Sequence, residues 1–342
     1  MQHFLHRTLR PSLLVAFLAA GLSIGSGVAV YSQSPSAPQR SAIDWRDKPI
    51  VLPAGPLRLF VVGDTGTGGT HQKKVAEAMA RRAAGVAERA RQAPVRAVIM
   101  AGDNFYENGV KDVNDPLWKS AFENVYDKKR LPMPFFAVLG NHDWRLNPRA
   151  QIAYAQKFPN SRWEMDSFWY RRQYFLKGDK RPLAALFFID SNLWFRKEPW
   201  AKPLPERQLT WLRNGLASSR ARWKFVIAHH PLYTNGEHGR GGEVKVMRKK
   251  LGGLLKKHKV DAHLAGHDHD LQRIAVPGQS TLFLISGAGG KLRKKAINEY
   301  GPFYASKPGF LVLSLGKTQL RGEFQDEKGR TLDSFTRRPL TK

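Results

Sequence analysis

The amino-acid sequence predicts an α/β fold with much parallel sheet. Short apolar runs rich in Val, Ile, Leu and Phe recur from Leu57 onward. Segments of helical period separate them, and that alternation is the pattern of parallel strands joined by crossover helices. Five of the runs also stop at Asp, Asn or His, mostly just after a Gly.

The chain opens on a segment of different character. Met1 to Arg10 carries Arg7 and Arg10 and no acid, and Leu13 to Val30 is apolar apart from Ser23 and Ser26. Gly27-Val28-Ala29 suits a signal peptidase. Residues 1–32 therefore read as a secretory signal peptide, and a periplasmic or secreted location is expected. The alternative is an uncleaved membrane anchor, because the run approaches the ~20 residues that cross a bilayer. Without cysteine the segment is not a lipoprotein signal. Residues 33–55, with the Ser-, Pro- and Gln-rich stretch Ser32 to Arg40, read as a linker. Residues 56–335 hold the folded domain, and 336–342 a C-terminal tail.

The predicted strands are Leu57–Val62, Ala97–Met100, Phe135–Leu139, Leu183–Ile189, Lys224–Ala228, Ala262–Ala265, Leu282–Ile285 and Phe310–Leu315. Three segments carry the helical period. One has Val75, Met79, Ala83, Val86 and Ala90 on a single stripe. Glu206–Ser219 aligns Leu209, Leu212 and Leu216, and Glu243–His258 aligns Val246, Leu251, Leu254 and Leu255.

Composition narrows the chemistry. With no cysteine, disulfides, thiolate metal sites and thiol nucleophiles are excluded. No Asn-x-Ser/Thr sequon occurs. A formal net charge of +28 attracts anions, whether phosphorylated substrates, nucleic acid or anionic lipid.

Ligands in an α/β sheet bind beyond the carboxyl ends of the strands, so the residues after each run carry the functional argument. They are Gly63-Asp64, Gly102-Asp103-Asn104-Phe105-Tyr106, Gly140-Asn141-His142-Asp143, His229-His230 and Gly266-His267-Asp268-His269. Singly, each fragment is a turn; together at successive strand ends they point to a shared metal site. Carboxylate, amide and imidazole donors without sulfur suit Zn, Fe or Mn better than Ca or Mg. The donors outnumber the needs of one ion, so two metals with one bridging Asp are expected.

In order, GDTG (63–66), GDNFY (102–106), GNHD (140–143), VIAH (226–229) and GHDH (266–269) resemble the five motif blocks of the purple acid phosphatases. DNFYENGVKDVNDPLWKSAFENVY, AQIAYAQK, PERQLTWLRNGL, EHG (237–239) and AGHDHDLQ resemble the small mammalian-type branch, the tartrate-resistant acid phosphatases. The resemblance covers residues 56–335 and implies a metallophosphoesterase β-sandwich flanked by helices, with a dinuclear site at the C-terminal ends of the strands. It implies Fe3+ bound by Asp64, Tyr106 and His269. It further implies a divalent Fe2+, Zn2+ or Mn2+ bound by Asn141, His229 and His267, with Asp103 bridging. Tyr106 discriminates, because a phenolate favours Fe3+. The resemblance gives His142 a contact with the substrate phosphate and His238 the protonation of the leaving group. The implied reaction is phosphate-monoester hydrolysis by a metal-bound hydroxide.

His230 departs from the pattern, which has an aromatic residue there; it contacts phosphate or fills space. Asp190 reads as structural. Asp143, Asp268 and Asp270 read as partners orienting the His ligands, or as turn residues. The segment SNLWFRKEPWAKPL is shorter than the family's activity-restraining loop, and its Trp residues are candidates for shaping the cleft. Expected partners are phosphorylated anionic small molecules or phosphoproteins. No specific nucleic acid is expected, a membrane only if the N-terminal segment stays uncleaved, and the chain is expected to be a monomer. A phosphodiesterase or nucleotidase would use the same site. A nucleic-acid- or lipid-binding protein is the reading from another class, motivated by RKK (248–250), KKHK (256–259) and KLRKK (291–295).

Overall fold

A computed structural model describes residues 49–53, 55–88, 93–294, 297 and 299–341. The segment read as a signal peptide or anchor lies outside the described residues, as does the linker up to residue 48. Residues 47–342 form one compact unit.

Two sheets make the core. The first runs, in spatial order, through β1 (Pro49–Leu52), β6 (Tyr170–Leu176), β7 (Ala184–Phe188), β8 (Trp223–Ile227), β9 (Ala262–Ala265), β11 (Leu282–Ser286), β10 (Leu271–Ile274) and β12 (Pro302–Ala305). The second runs through β15 (Thr331–Arg337), β14 (Leu320–Asp326), β13 (Gly309–Leu315), β2 (Leu57–Val62), β3 (Val95–Met100), β4 (Phe135–Ala137) and β5 (Trp163–Glu164). Each predicted strand is present within one or two residues of its expected ends. The centres of both sheets are parallel: β7, β8, β9 and β11 in one, β2 to β5 in the other.

The antiparallel margins were not expected. Strands β10 and β12 close one sheet, and β13, β14 and β15 extend the other. Two domain boundaries also move. Pro49–Leu52, read as linker, pairs in parallel with β6 and belongs to the folded unit. The residues read as a tail continue β15 to Arg337, and the Leu340 N–H then donates to Asp261 at 2.8 Å. Main-chain pairing in both places holds short segments, one of them the brief apolar run Ile50-Val51-Leu52, that are too short to stand out from a linker or tail.

Helix α1 (Thr70–Glu88) lies against β13, with Val75 and Met79 buried; Ala90 lies outside the described residues. Helix α2 (Arg149–Lys157) follows the third motif, and α3 (Leu204–Ser218) buries Leu212 and Leu216. The segment from Glu243 is α4 (Gly242–Met247), a π-helical stretch Arg248–Gly252 and α5 (Gly253–Lys257), the wide turn running into the paired glycines 252 and 253.

The side chains of Phe60, Phe135, Phe187, Phe188, Phe225, Phe310, Trp163 and Trp223 are fully buried. Each contributes about 1.5–3 kcal/mol relative to exposure. That rigidity matters at the strand ends, where the main chain is held in costly conformations.

Candidate metal centre

The five motifs leave adjacent strands of the two sheets: β2, β3 and β4 on one side, β8 and β9 on the other. Their carboxyl ends share one crevice. Asp64, Asp103 and His267 have left-handed φ values of 56°, 50° and 71°, and each directly follows a glycine. Such a conformation costs a non-glycine residue about 1–2 kcal/mol, and persists where the surroundings over-determine it. Two glycines are required by space as well. A Cβ on Gly102 would stand 2.5 Å from His229 Nδ1, and one on Gly140 would stand 2.0 Å from Asp103 Oδ1. The recurrent Gly-donor pairs are therefore packing requirements of the crevice.

All seven residues expected as ligands converge there, in two groups. The Tyr106 hydroxyl lies 3.2 Å from Asp64 Oδ1, 3.0 Å from Asp103 Oδ2 and 3.2 Å from His269 Nε2. His269 Nε2 is 3.4 Å from Asp64 Oδ1. In the second group, Asn141 Oδ1 is 3.1 Å from His229 Nε2 and 3.2 Å from His267 Nδ1, and those two nitrogens are 3.2 Å apart. Asp103 Oδ1 is 3.5 Å from His229 Nε2. Asp103 thus presents one oxygen to each group.

These separations fit metal ions. Two donors about 2.1 Å from one ion, at roughly 90–109°, stand about 3.0–3.4 Å apart. Donor electronics agree. Burial, then the neighbouring imidazole charges, holds His267 well below its ordinary value, and burial followed by Arg293 takes His269 down to about 4. Neutral imidazole is the form that ligates. Burial, with the Asp103 charge adding to it, raises the Asp64 carboxyl well above its ordinary range against the opposing pull of His229. Burial and then Asp64 and Asp103 likewise raise the Tyr106 phenol. Buried acidic oxygens crowded in this way are stabilised by a cation.

The outer faces of the imidazoles are also held. His229 Nδ1 faces the Ala101 carbonyl at 2.9 Å, leaving Nε2 toward the donor group. His267 Nε2 faces Glu243 Oε2 at 2.9 Å, leaving Nδ1 inward. Glu243 was seen in the sequence only as the start of a helical segment, because its partner lies in the loop after β9.

His142 sits beside the first group, with Nε2 3.9 Å from Asp103 Oδ2 and its Nδ1 facing the Glu107 carbonyl at 2.6 Å. Burial lowers its pKa, against an opposing effect of Asp103. Arg145, which the motif reading passed over, reaches 3.3 Å from His142 Nε2. His238 lies over His267, ring centroids 4.0 Å apart, and Asp268 Oδ1 is 2.8 Å from His238 Nδ1. Arg293 stands 3.1 Å from both ring nitrogens of His238. Lys291 lies 3.9 Å from the centre of the Tyr106 ring.

The remaining acids differ in role. Asp268 serves His238 and not one of the seven donors. Burial raises its pKa, but the hydrogen bonds from His238 and Thr234 outweigh that and the carboxyl ends below its ordinary value. Asp143 accepts from the N–H groups of Gly140, Asn104 and Phe105 and from Gln151, and so braces loops in place of any imidazole. Asp270 accepts from Gln272. Asp190 caps the turn Ser191–Trp194 and accepts from Trp144 Nε1 at 2.8 Å. His230 is buried, its Nδ1 2.7 Å from Ser191 Oγ and its ring 5.0 Å from Phe195. It fills space. Trp200 stacks on Trp144, centroids 5.6 Å apart and planes within 4°, and Trp194 packs on the core.

A two-sheet α/β scaffold that gathers such donors at strand ends is that of a metallophosphoesterase. A calcineurin-like phosphoesterase family model matches residues 57–271. Purple acid phosphatase 4 of Arabidopsis thaliana is 31% identical over 302 residues, covering 83% of this chain and 84% of that protein. Tartrate-resistant acid phosphatase type 5 of Rattus norvegicus is 30% identical over 310 residues, covering 84% and 92%. Among solved structures, GAP50, the anchor in the inner membrane complex of Plasmodium, is similar at a TM-score of 0.72 and 27% identity, covering 84% of this chain and 90% of that one. The chain belongs to the calcineurin-like phosphoesterases and, within them, to the purple acid phosphatase family of metal-dependent hydrolases.

Proposed function

We propose that this chain is an acid phosphatase that hydrolyses phosphate monoesters at a dinuclear centre. Asp64, Tyr106 and His269 would hold Fe3+, Asn141, His229 and His267 would hold Fe2+, Zn2+ or Mn2+, and Asp103 would serve both. The observation that carries the reading is the Tyr106 hydroxyl, within 3.2 Å of an oxygen or nitrogen of Asp64, Asp103 and His269. A phenol oxygen in a carboxylate and imidazole group suits a hard trivalent ion, and Tyr106 is buried there.

When bound, the ions supply polarisation of the phosphoryl oxygens and acidify the attacking water. The protein does the rest. Arg145 offers N–H donors to a phosphoryl oxygen, where charge grows in the transition state; His142, whose Nδ1–H the Glu107 carbonyl accepts, adds a donor at Nε2 only as the imidazolium. Asp268 orients His238 through Nδ1, and His238 carries the proton for the leaving oxygen on Nε2. Gly102 and Gly140 let Asp103 and His229 approach without displacement.

The strongly positive surface favours phosphorylated anionic small molecules or phosphoproteins as substrates, through steering. The N-terminal pattern favours export. Among the described residues, no helix is long and apolar enough to cross a membrane. The similarity to an anchor protein makes a non-catalytic binder the competing reading. The complete set of seven donors, in two groups with one shared carboxylate, favours the enzyme.

The visible spectrum of the iron-loaded protein, beside Tyr106→Phe prepared identically, tests this. A broad charge-transfer band lost in the variant supports a ferric tyrosinate. A colourless, iron-replete wild type removes Tyr106 from the metal. Turnover of aryl monoester against aryl diester separates phosphatase from diesterase.

A further inference from the structure

We infer that Glu243 is a positioning residue for the second metal, acting through His267; this rests on the dinuclear reading above. An imidazole has two nitrogens, and which one faces a metal is set by the partner of the other. For His229 that partner is a main-chain carbonyl, fixed by the sheet. For His267 it is a side chain. Glu243 Oε2 lies 2.9 Å from His267 Nε2, so Nε2 carries the proton and Nδ1 presents its lone pair beside Asn141 Oδ1 and His229 Nε2.

Three further observations give this contact weight. His267 sits at a left-handed φ of 71°, and its N–H donates to Asp64 Oδ2 at 2.8 Å, so its main chain is held in place. Its other side is occupied by the His238 ring, 4.0 Å away between centroids. Glu243 is delivered from a different element, in the first turn of α4, so the contact ties that helix to the loop after β9. A carboxylate on a ligating imidazole also raises the basicity of the inward nitrogen, which strengthens the bond to a cation.

The same carboxylate faces His230, whose Nε2 is 3.8 Å from Glu243 Oε1. His230, Glu243 and His267 together could hold an ion of their own. The geometry argues against that use. His267 Nδ1 already belongs to the donor group of Asn141 and His229, and serving two ions would strip the ring of both protons. The experiment below counts ions for this reason.

The test is chelator-competition titration of Zn2+ into the iron-loaded protein, wild type beside Glu243→Ala and Glu243→Gln, with metal content measured in parallel. The wild type should hold one iron and one exchangeable Zn2+. Glu243→Ala should weaken Zn2+ by about 10- to 100-fold and leave the iron band in place. Glu243→Gln keeps an acceptor for Nε2–H and should lose much less. If Glu243→Ala does not fold, Glu243→Asp stands in: its shorter side chain withdraws the acceptor from His267 Nε2, so that variant should bind Zn2+ more weakly than Glu243→Gln. Wild-type affinity for Zn2+ in Glu243→Ala, or in Asp and Gln alike, overturns the inference. Equal loss of iron and Zn2+ also overturns it, as a general collapse of the site. Three ions in the wild type assign Glu243 to a site of its own and overturn the positioning role. A wild type that binds no Zn2+ beside iron sinks the dinuclear reading itself, and is told apart because it needs no variant.

Discussion

Asp143 accepts hydrogen bonds from the main-chain N–H of Asn104 through both carboxylate oxygens, at 3.1 and 3.0 Å. The residue after one strand thereby holds the loop after its neighbour. Because the same carboxylate accepts from Gly140 at 2.8 Å and Phe105 at 3.1 Å, Asp103 and Asn141 are fixed relative to each other before any ion arrives. Burial and the Asp103 charge raise the Asp143 carboxyl above its ordinary value, and the hydrogen bonds from Gly140, Asn104 and Gln151 pull the other way, toward the carboxylate. Every partner named here is a donor, so an amide in its place would turn N–H toward N–H. Asp143→Asn should cost about 2–4 kcal/mol of stability and weaken both ions. Chemical denaturation with metal analysis checks this. Unchanged midpoint and metal content would show that the loops hold themselves.

Gly140 carries a sharper expectation. A methyl group there would stand 2.0 Å from Asp103 Oδ1 and 2.2 Å from its amide nitrogen. The obstruction includes main chain, so it cannot swing aside. Gly140→Ala should displace the loop that carries Asp103 and lose paired metal binding and most turnover, on the order of 10²-fold or more. Calorimetric titration of the divalent ion decides it. Full occupancy with wild-type turnover would mean that Asp103 is not the bridge.

Asp268 touches His238 and none of the seven donor atoms, so it separates proton delivery from metal binding. Asp268→Asn should leave both ions bound. It should slow an alkyl phosphate, whose leaving oxygen needs a proton, by up to about 10²-fold. An aryl phosphate with an acidic leaving group should slow far less. Equal loss on both substrates would place His238 in phosphate binding instead.

What could be read before the structure follows from what the site demands locally. Gly-Asp, Gly-Asn and Gly-His at strand ends announce themselves because each needs a tight turn and a donor in adjacent positions. The central strands Leu57–Val62 and Ala262–Ala265 were legible because strands buried on both faces are mostly apolar, broken here only by Arg58 and His263. Strand β6, with the polar run Arg171-Arg172-Gln173, and β15, with Leu332 and Phe335 as its only apolar residues, have no continuous apolar run and fall below that signal. Glu243, Arg145 and Arg293 were invisible for a different reason. Nothing in their own sequence neighbourhoods requires them: only the fold brings Glu243 to His267 and Arg293 to His238, and Arg145 reaches His142 through the local turn three residues on, which carries no motif of its own.

His263 tests how the core answers to pH. It lies on β9, opposite Val226 and Phe283, fully buried, with Nε2 among the buried atoms that have no hydrogen-bond partner. Burial alone takes it down to about 3, against an ordinary value of 6.5. The unfolded chain therefore takes up a proton as pH falls through 6.5, while the folded chain does not until about pH 3. More protons on the unfolded state mean that stability is lost on acidification, by up to about 1.4 kcal/mol per pH unit within that window. His263→Leu removes the ionisable group and keeps an apolar filler. Relative to wild type, the variant should gain about 2 kcal/mol on going from pH 7.5 to pH 5.0, read from urea midpoints with metals saturating. An identical pH dependence in the two proteins would mean that His263 is protonated in the folded core, and that a partner for its ring exists there.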